Sequence, residues 1–277
     1  MAPIAMMAKA GFGERYGPWA LVAGASEGLG AAFARALARR GVNVALAARR
    51  RELLDALAQE CRSRFGVEAR VLVGDLGDPR FAEEARLDVA DLELGLLVYN
   101  AAFAPIGGFA DMAPADLSRV VDVNTRGPIL LLRALLPAMV ARGRGGVVLM
   151  SSLAGNQGAP RIAAYAASKA FNRVLAEGLW SELKPLGIDV VACCAGAIQT
   201  PNYSMSSAKE APGTASPEFV AEIALRSLGR GPVAIPGLVN RIAAWTMGRL
   251  LPRRAAIGIM AGSTETLSDS GKAKPSS

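Results

Sequence analysis

Short runs of consecutive apolar residues alternate with longer segments whose apolar positions recur every three to four residues, through most of the chain. WALVAG, VNVALAA, VEARVLVGDL, LGLLVYNAA, GGVVLMSS, IDVVACCAG and PVAIPG read as strands. They are continuously apolar rather than alternating, as strands covered on both faces are. Between them, helical periodicity runs through GAAFARALARRG, RRELLDALAQECRSRFG, the stretch around PRFAEEARL, residues 116–142, residues 163–186 and SPEFVAEIALRSLGRG. In the first of these, Phe33 and Leu37 mark the packing side and Gly41 the stop. Repeated strand–helix alternation predicts an α/β fold, with a parallel sheet and right-handed crossovers. The expected plan is one doubly wound domain of seven parallel strands over residues 16–237, after a short segment at 1–15. An insertion is expected at 201–215, an apolar and basic helical extension at 238–262, and a disordered polar tail at 263–277.

Composition narrows the function. Of 277 residues 52% are apolar, enough for a large core. A net charge of +7 would suit nucleic acid, but the basic residues are scattered through ARR, RRRE, RGRGG and LPRR, aromatics are few, and no nucleic-acid motif occurs. No nucleic-acid partner is expected. The three cysteines, Cys61, Cys193 and Cys194, form no CxxC pair. This speaks against a disulfide framework or a metal site and suits a reducing cytoplasm. Cys193 and Cys194 read as small apolar strand residues. Neither a signal peptide nor a spanning run of about 18 apolar residues is evident, so a cytoplasmic location is expected.

AGASEGLG joins the first strand to the first helix. Gly24, Gly28 and Gly30 would let the chain turn tightly and approach a pyrophosphate, with the N–H groups of the helix start facing the anion. Such a loop after the first buried strand predicts dinucleotide binding and a Rossmann fold. At the end of the second strand a carboxylate would accept from the ribose 2′-hydroxyl, whereas an arginine would accommodate a 2′-phosphate. Here Ala48 is followed by Arg49, Arg50 and Arg51. Cations are unfavourable at a helix start unless an anion binds there. NADP(H) is the expected cofactor, with Arg49 its main contact and Arg50 sharing it; Glu27 in the glycine loop is a counter-signal.

The chain has no histidine. Tyr165 and Lys169 stand four apart on a predicted helix, so their side chains share a face. A nearby ammonium would lower the phenol from its usual ~10 toward useful pH. Ser152, at the end of the fifth strand, would reach the same place and hydrogen-bond a substrate carbonyl.

Taken together, AGASEGLG, YNAA, Asn124 in VDVNTRG, SSLAG and YAASK resemble the short-chain dehydrogenase/reductase family in order and spacing over residues 19–236. The resemblance implies a tetrad of Asn124, Ser152, Tyr165 and Lys169. Tyr165 would protonate the carbonyl oxygen as hydride arrives, Ser152 would orient it, and Lys169 would bond the nicotinamide ribose. Asn124 would hold a water linking Lys169 to solvent. It further implies cofactor contacts from Ser26 and Leu29 in the loop, Asp75 and Leu76 at the adenine, Asn100 and Ala101 at the adenosine ribose, and Gly196, Ile198 and Thr200 at the nicotinamide. Three positions depart from the family pattern: Tyr99 in YNAA for the usual asparagine, Ala195 for the proline before Gly196, and Ala23 for threonine.

YGPWALVAGASEGLG looks like the branch of 3-ketoacyl-CoA reductases and hydroxysteroid dehydrogenases, which implies a hydrophobic ketone or secondary alcohol as substrate: a steroid, an acyl thioester or an aryl ketone. The competing readings are a sensor that binds NADP without turnover and a membrane-associated scaffold. The extension, with Arg241, Arg249, Arg253 and Arg254 among apolar residues, is expected to pack on its own domain or a subunit in preference to a membrane surface. The apolar circumference of helices 116–142 and 163–186 predicts a homodimer or homotetramer.

Overall fold

The computed structural model describes residues 11–200, 211, 213–265 and 267. The expected insertion, the first ten residues and most of the tail therefore lie largely outside the described residues. Seven parallel strands, β1 (Trp19–Ala23), β2 (Asn43–Ala48), β3 (Ala69–Val73), β4 (Leu94–Tyr99), β5 (Gly145–Ser152), β6 (Ile188–Ala195) and β7 (Val233–Ala234), form one sheet in the order β3-β2-β1-β4-β5-β6-β7. The order reverses between β1 and β4, so a crevice opens at their carboxyl ends.

Helices α1 (Gly28–Ala38), α2 (Arg51–Phe65) and α7 (Pro217–Ser227) pack on one face, and α3 (Phe81–Asp88), α5 (Gly127–Arg142) and α6 (Ala163–Leu183) on the other. Successive strand residues serve opposite faces: Cys193 joins the first core and Cys194 the second. All three cysteines are buried and unpaired, and burial pushes the Cys61 thiol up to about 11. Among the described residues, no helix is long and apolar enough to cross a membrane.

Several boundaries differ from the sequence expectation. The helix expected over 116–142 is interrupted: α4 (Pro114–Val121) enters a π-helical turn, Asp122–Arg126, before α5. The Gly127 N–H reaches back to the Asp122 carbonyl, five residues earlier. The anticipated 163–186 helix tightens into a 3-10 turn after Leu183. The segment before residue 16 is not detached, because residues 11–16 are helical and both Arg15 and the Tyr16 hydroxyl donate to Asp189 in β6. The extension is a helix pair, α8 (Leu238–Arg249) and α9 (Arg253–Glu265), and α9 continues past the expected end at 262.

Candidate active site

The crevice begins with the β1–α1 loop. Gly24 (φ 82°) and Gly28 (φ 54°) adopt left-handed conformations that favour glycine. A Cβ on Gly24 would stand 2.7 Å from the Ala101 Cα, and one on Gly30 would collide with the Gly24 carbonyl. Glu27 precedes α1 without a side-chain cap, so its first N–H groups have no side-chain acceptor there. This cradle suits a pyrophosphate, and the donor set fits a nicotinamide dinucleotide.

Asn100 closes the loop from behind: its Nδ2 donates to the Gly24 carbonyl at 2.9 Å, and the Asn100 and Ala101 N–H groups both bond the Ala23 carbonyl. Asp75 accepts from the Gly77 N–H and pairs with Arg119 at 2.8 Å. Burial works against its carboxylate, yet those partners outweigh it and hold Asp75 below the usual carboxylate range. Leu29 and Leu76 are buried in the two cores. Their backbone is what these two positions can offer a cofactor.

At the end of β2, Arg49 is exposed. Arg50 instead folds over the loop, its Nη2 2.8 Å from the Ser26 Oγ and 2.6 Å from the Glu27 Oε1. The counter-signal in Glu27 is therefore an ion pair with one of the expected phosphate ligands.

β5 ends at Ser152, whose Oγ accepts from the Ala154 N–H at 3.2 Å. α6 brings up Tyr165 and Lys169 on one face, the ammonium 5.5 Å from the Tyr165 ring centre. Lys169 is 3% exposed and donates to the Met150 carbonyl at 3.0 Å. Burial lowers it to about 8. Burial likewise raises the Tyr165 phenol above its ordinary 10, with the Ser152 side chain pulling the other way. The expectation that Lys169 lowers the phenol is not met in this state: desolvation of both groups dominates, and the ammonium is turned to a carbonyl.

Asn124 is fully buried in the π-helical turn. Its Oδ1 accepts from the Phe103 N–H at 2.7 Å, and its Nδ2 donates to the Phe103 carbonyl and the Ser168 Oγ, both at 2.9 Å. Both amide donors are used, so the side chain fastens the turn to α6 and has no N–H left for a water. Tyr99, singled out only as a departure, donates to the Val123 carbonyl at 2.6 Å and braces the same turn.

Beyond β6, Gly196 lies against Asn240 of α8; a Cβ there would stand 2.7 Å from the Asn240 Oδ1. Asn240 donates to the Gly213 and Pro236 carbonyls. Ile198 bridges Ala215, and Thr200 closes the described part of this strand end. The sequence carried no signal for Asn240, an isolated asparagine in an apolar and basic helix.

The profile described as short chain dehydrogenase matches residues 18–211. A 7beta-hydroxysteroid dehydrogenase of Clostridium sardiniense is 33% identical over 233 residues, 83% of this chain and 89% of that protein. A very-long-chain 3-oxoacyl-CoA reductase of Anas platyrhynchos is 36% identical over 66% of this chain, which spans 60% of that protein's length. Among solved structures, one described by work on 7beta-hydroxysteroid dehydrogenase stereoselectivity superposes with a TM-score of 0.85 at 28% identity, covering 90% of this chain and 98% of the other. A short-chain dehydrogenase from Sphingobium yanoikuyae in complex with NADPH gives 0.75 at 30% identity, covering 93% and 99%.

Proposed function

The chain belongs to the short-chain dehydrogenase/reductase family, and from that premise we propose that it is an NADPH-dependent ketoreductase, reversible as an alcohol dehydrogenase, acting on a hydrophobic ketone or secondary alcohol. One observation carries the reading: Ser152, Tyr165 and Lys169 converge at the crevice whose glycine loop fits a pyrophosphate, and Tyr165 lies in a small apolar cluster. A bound reduced nicotinamide supplies the hydride. Ser152 hydrogen-bonds the substrate oxygen, and Tyr165 gives it the proton that completes the alcohol. Lys169, holding the ribose, returns a proton toward the phenolate. Asn124 acts as a positioning residue, fixing the π-helical turn against Ser168, one residue before Lys169.

The cofactor-side residues divide by role in this reading. Gly24, Gly28 and Gly30 receive the pyrophosphate. Arg49 meets the 2′-phosphate with Arg50 and Ser26 beside it. Asp75 borders the adenine. Gly196, Ile198 and Thr200 flank the nicotinamide. Support for a phosphorylated dinucleotide comes from the arginines at β2 and from the NADPH named for the Sphingobium protein.

The test is NADPH consumption on a panel of steroid, aryl and acyl-thioester ketones. Tyr165→Phe should lower kcat by about a hundred-fold or more, as loss of a general acid does, while NADPH binding persists. A Phe variant that keeps about a tenth of wild-type turnover would show that Tyr165 is not the proton donor.

A further inference from the structure

The helix that ends the described chain is tied into the catalytic loops. Met260 of α9 and Leu267 just beyond it join Ile106 and Tyr165 around Ala154, Ala159, Ile162 and Ala166. At the start of α9, Arg253 donates to the Asn156 carbonyl at 2.8 Å, in the turn that follows Ser152. At its end, Arg161 donates to the Glu265 carbonyl at 3.0 Å and to that of Thr264 at 3.3 Å. Between these anchors, Ile257 lies over Gly158, where a Cβ would stand 3.7 Å from its Cδ1.

Arg161 holds the left-handed backbone that favours glycine, with φ 65°. A non-glycine residue there is under strain that its surroundings must hold. It stands four residues before Tyr165, and its guanidinium caps the last carbonyls of α9. The segment that presents the phenol and the turn that follows Ser152 are therefore each fastened to the same helix. Residues 255–263 carry no charged side chain, so whatever lies along α9 beside Tyr165 meets an apolar surface.

Resting on the ketoreductase reading, we propose that α9 is a fixed wall of the substrate site, and that Met260 and Leu267, with Ile106, receive the uncharged apolar body of the ketone whose oxygen lies at Tyr165. An apolar wall contributes little to a small ketone and much to a large one, because the gain grows with buried area. Methionine, flexible and polarisable, suits a broad ligand surface.

The experiment uses the full chain with two probes, a neutral steroid ketone and a short methyl ketone. kcat/KM is measured for each with NADPH. Equilibrium binding of the steroid ketone to the NADP⁺-loaded protein is followed by calorimetry, and NADPH affinity separately. Met260→Ala should weaken steroid binding and its kcat/KM by roughly ten-fold, with a clearly smaller loss on the short ketone and NADPH affinity within about two-fold. Met260→Trp, which stays apolar and so keeps α9 folded, should narrow the wall and penalise the steroid more than the short ketone.

Equal losses on both ketones, unchanged steroid binding in both variants, or no steroid binding by the wild type would overturn the proposal. Steroid binding that depends on Met260 without turnover would uphold the wall while sinking the ketoreductase reading. Turnover with binding indifferent to Met260 would do the reverse.

Discussion

Lys169 occupies a place where charge is costly, and its titration gives that cost a pH signature. Its folded value of about 8 lies below the ordinary 10.5. Between those values the unfolded chain binds the proton and the native one does not. Stability from this group therefore rises with pH across 8 to 10.5, and the penalty is fully present below 8. Tyr165 stays protonated over most of that window, being held above 10. In urea denaturation at pH 7 and pH 9, wild type should gain about 1 kcal/mol relative to Lys169→Met at the higher pH. The subtraction removes the buried cysteines common to both. A difference that is flat or falls with pH would place the Lys169 ammonium in better company than the Met150 carbonyl. The two arginines after β2 yield a second residue-scale prediction. Arg50 already has a carboxylate in Glu27, whereas Arg49 is exposed beside the strand end. A guanidinium–phosphate contact at such a site is worth on the order of 1.5–3 kcal/mol, or roughly ten- to a hundred-fold. NADPH should exceed NADH in kcat/KM by about that factor, and Arg49→Leu should erode the preference more than Arg50→Leu. Ala48→Asp with Arg49→Leu should reverse it, through repulsion of the phosphate and a new acceptor for the 2′-hydroxyl. Equal efficiency of the two cofactors in wild type would mark the arginine run as a solvated helix start.

Elements were legible where burial on both faces wrote itself into the chain. The apolar runs of β1, β2, β4, β5 and β6 became inner strands because a doubly covered sheet leaves no polar alternation to misread, whereas edge strand β3 keeps Arg70 and an exposed Val73. The glycine loop, Ser152, Tyr165 and Lys169 were legible for a related reason: their spacing is imposed by strand ends and one helix face. The π-helical turn was not, since one extra residue in a turn leaves the apolar periodicity of VDVNTRG almost unchanged. Its braces, Tyr99 to the Val123 carbonyl and Asn124 to Phe103 and Ser168, are contacts between elements far apart in sequence. The sequence likewise placed Tyr165 beside Lys169, but side-chain spacing carries no measure of the desolvation that raises the phenol. The extension shows the same limit. Its helical character was expected from its apolar and basic composition, but the attachment of α9 to the catalytic turn runs through main-chain carbonyls of Asn156, Thr264 and Glu265, which any residue would supply.

At the scale of the molecule, α6 has more apolar surface than one sheet can use. Ala166, Ala176 and Leu183 are buried, while on the remaining circumference Phe171 and Leu175 are only partly covered and Val174 is 65% exposed. On the neighbouring helices Ile129 and Val121 are exposed as well. A two-fold axis along α6 would set this stripe against its own copy, the self-complementary arrangement of a closed dimer. Gly178 lies one turn beyond Val174, and a Cβ there would have nothing within 4 Å, so its backbone is open to close approach by a partner helix. The proposal is a homodimer, or a homotetramer if a second face is used. Light scattering at micromolar concentration should then give at least twice the monomer mass. Val174→Asp would bury a carboxylate without a partner in such an interface, a cost of several kcal/mol, and should shift the protein toward monomer while leaving its own fold intact, since Val174 makes little use of the core. A monomeric wild type, or an Asp variant that remains fully assembled, would mean that this stripe is not the subunit contact.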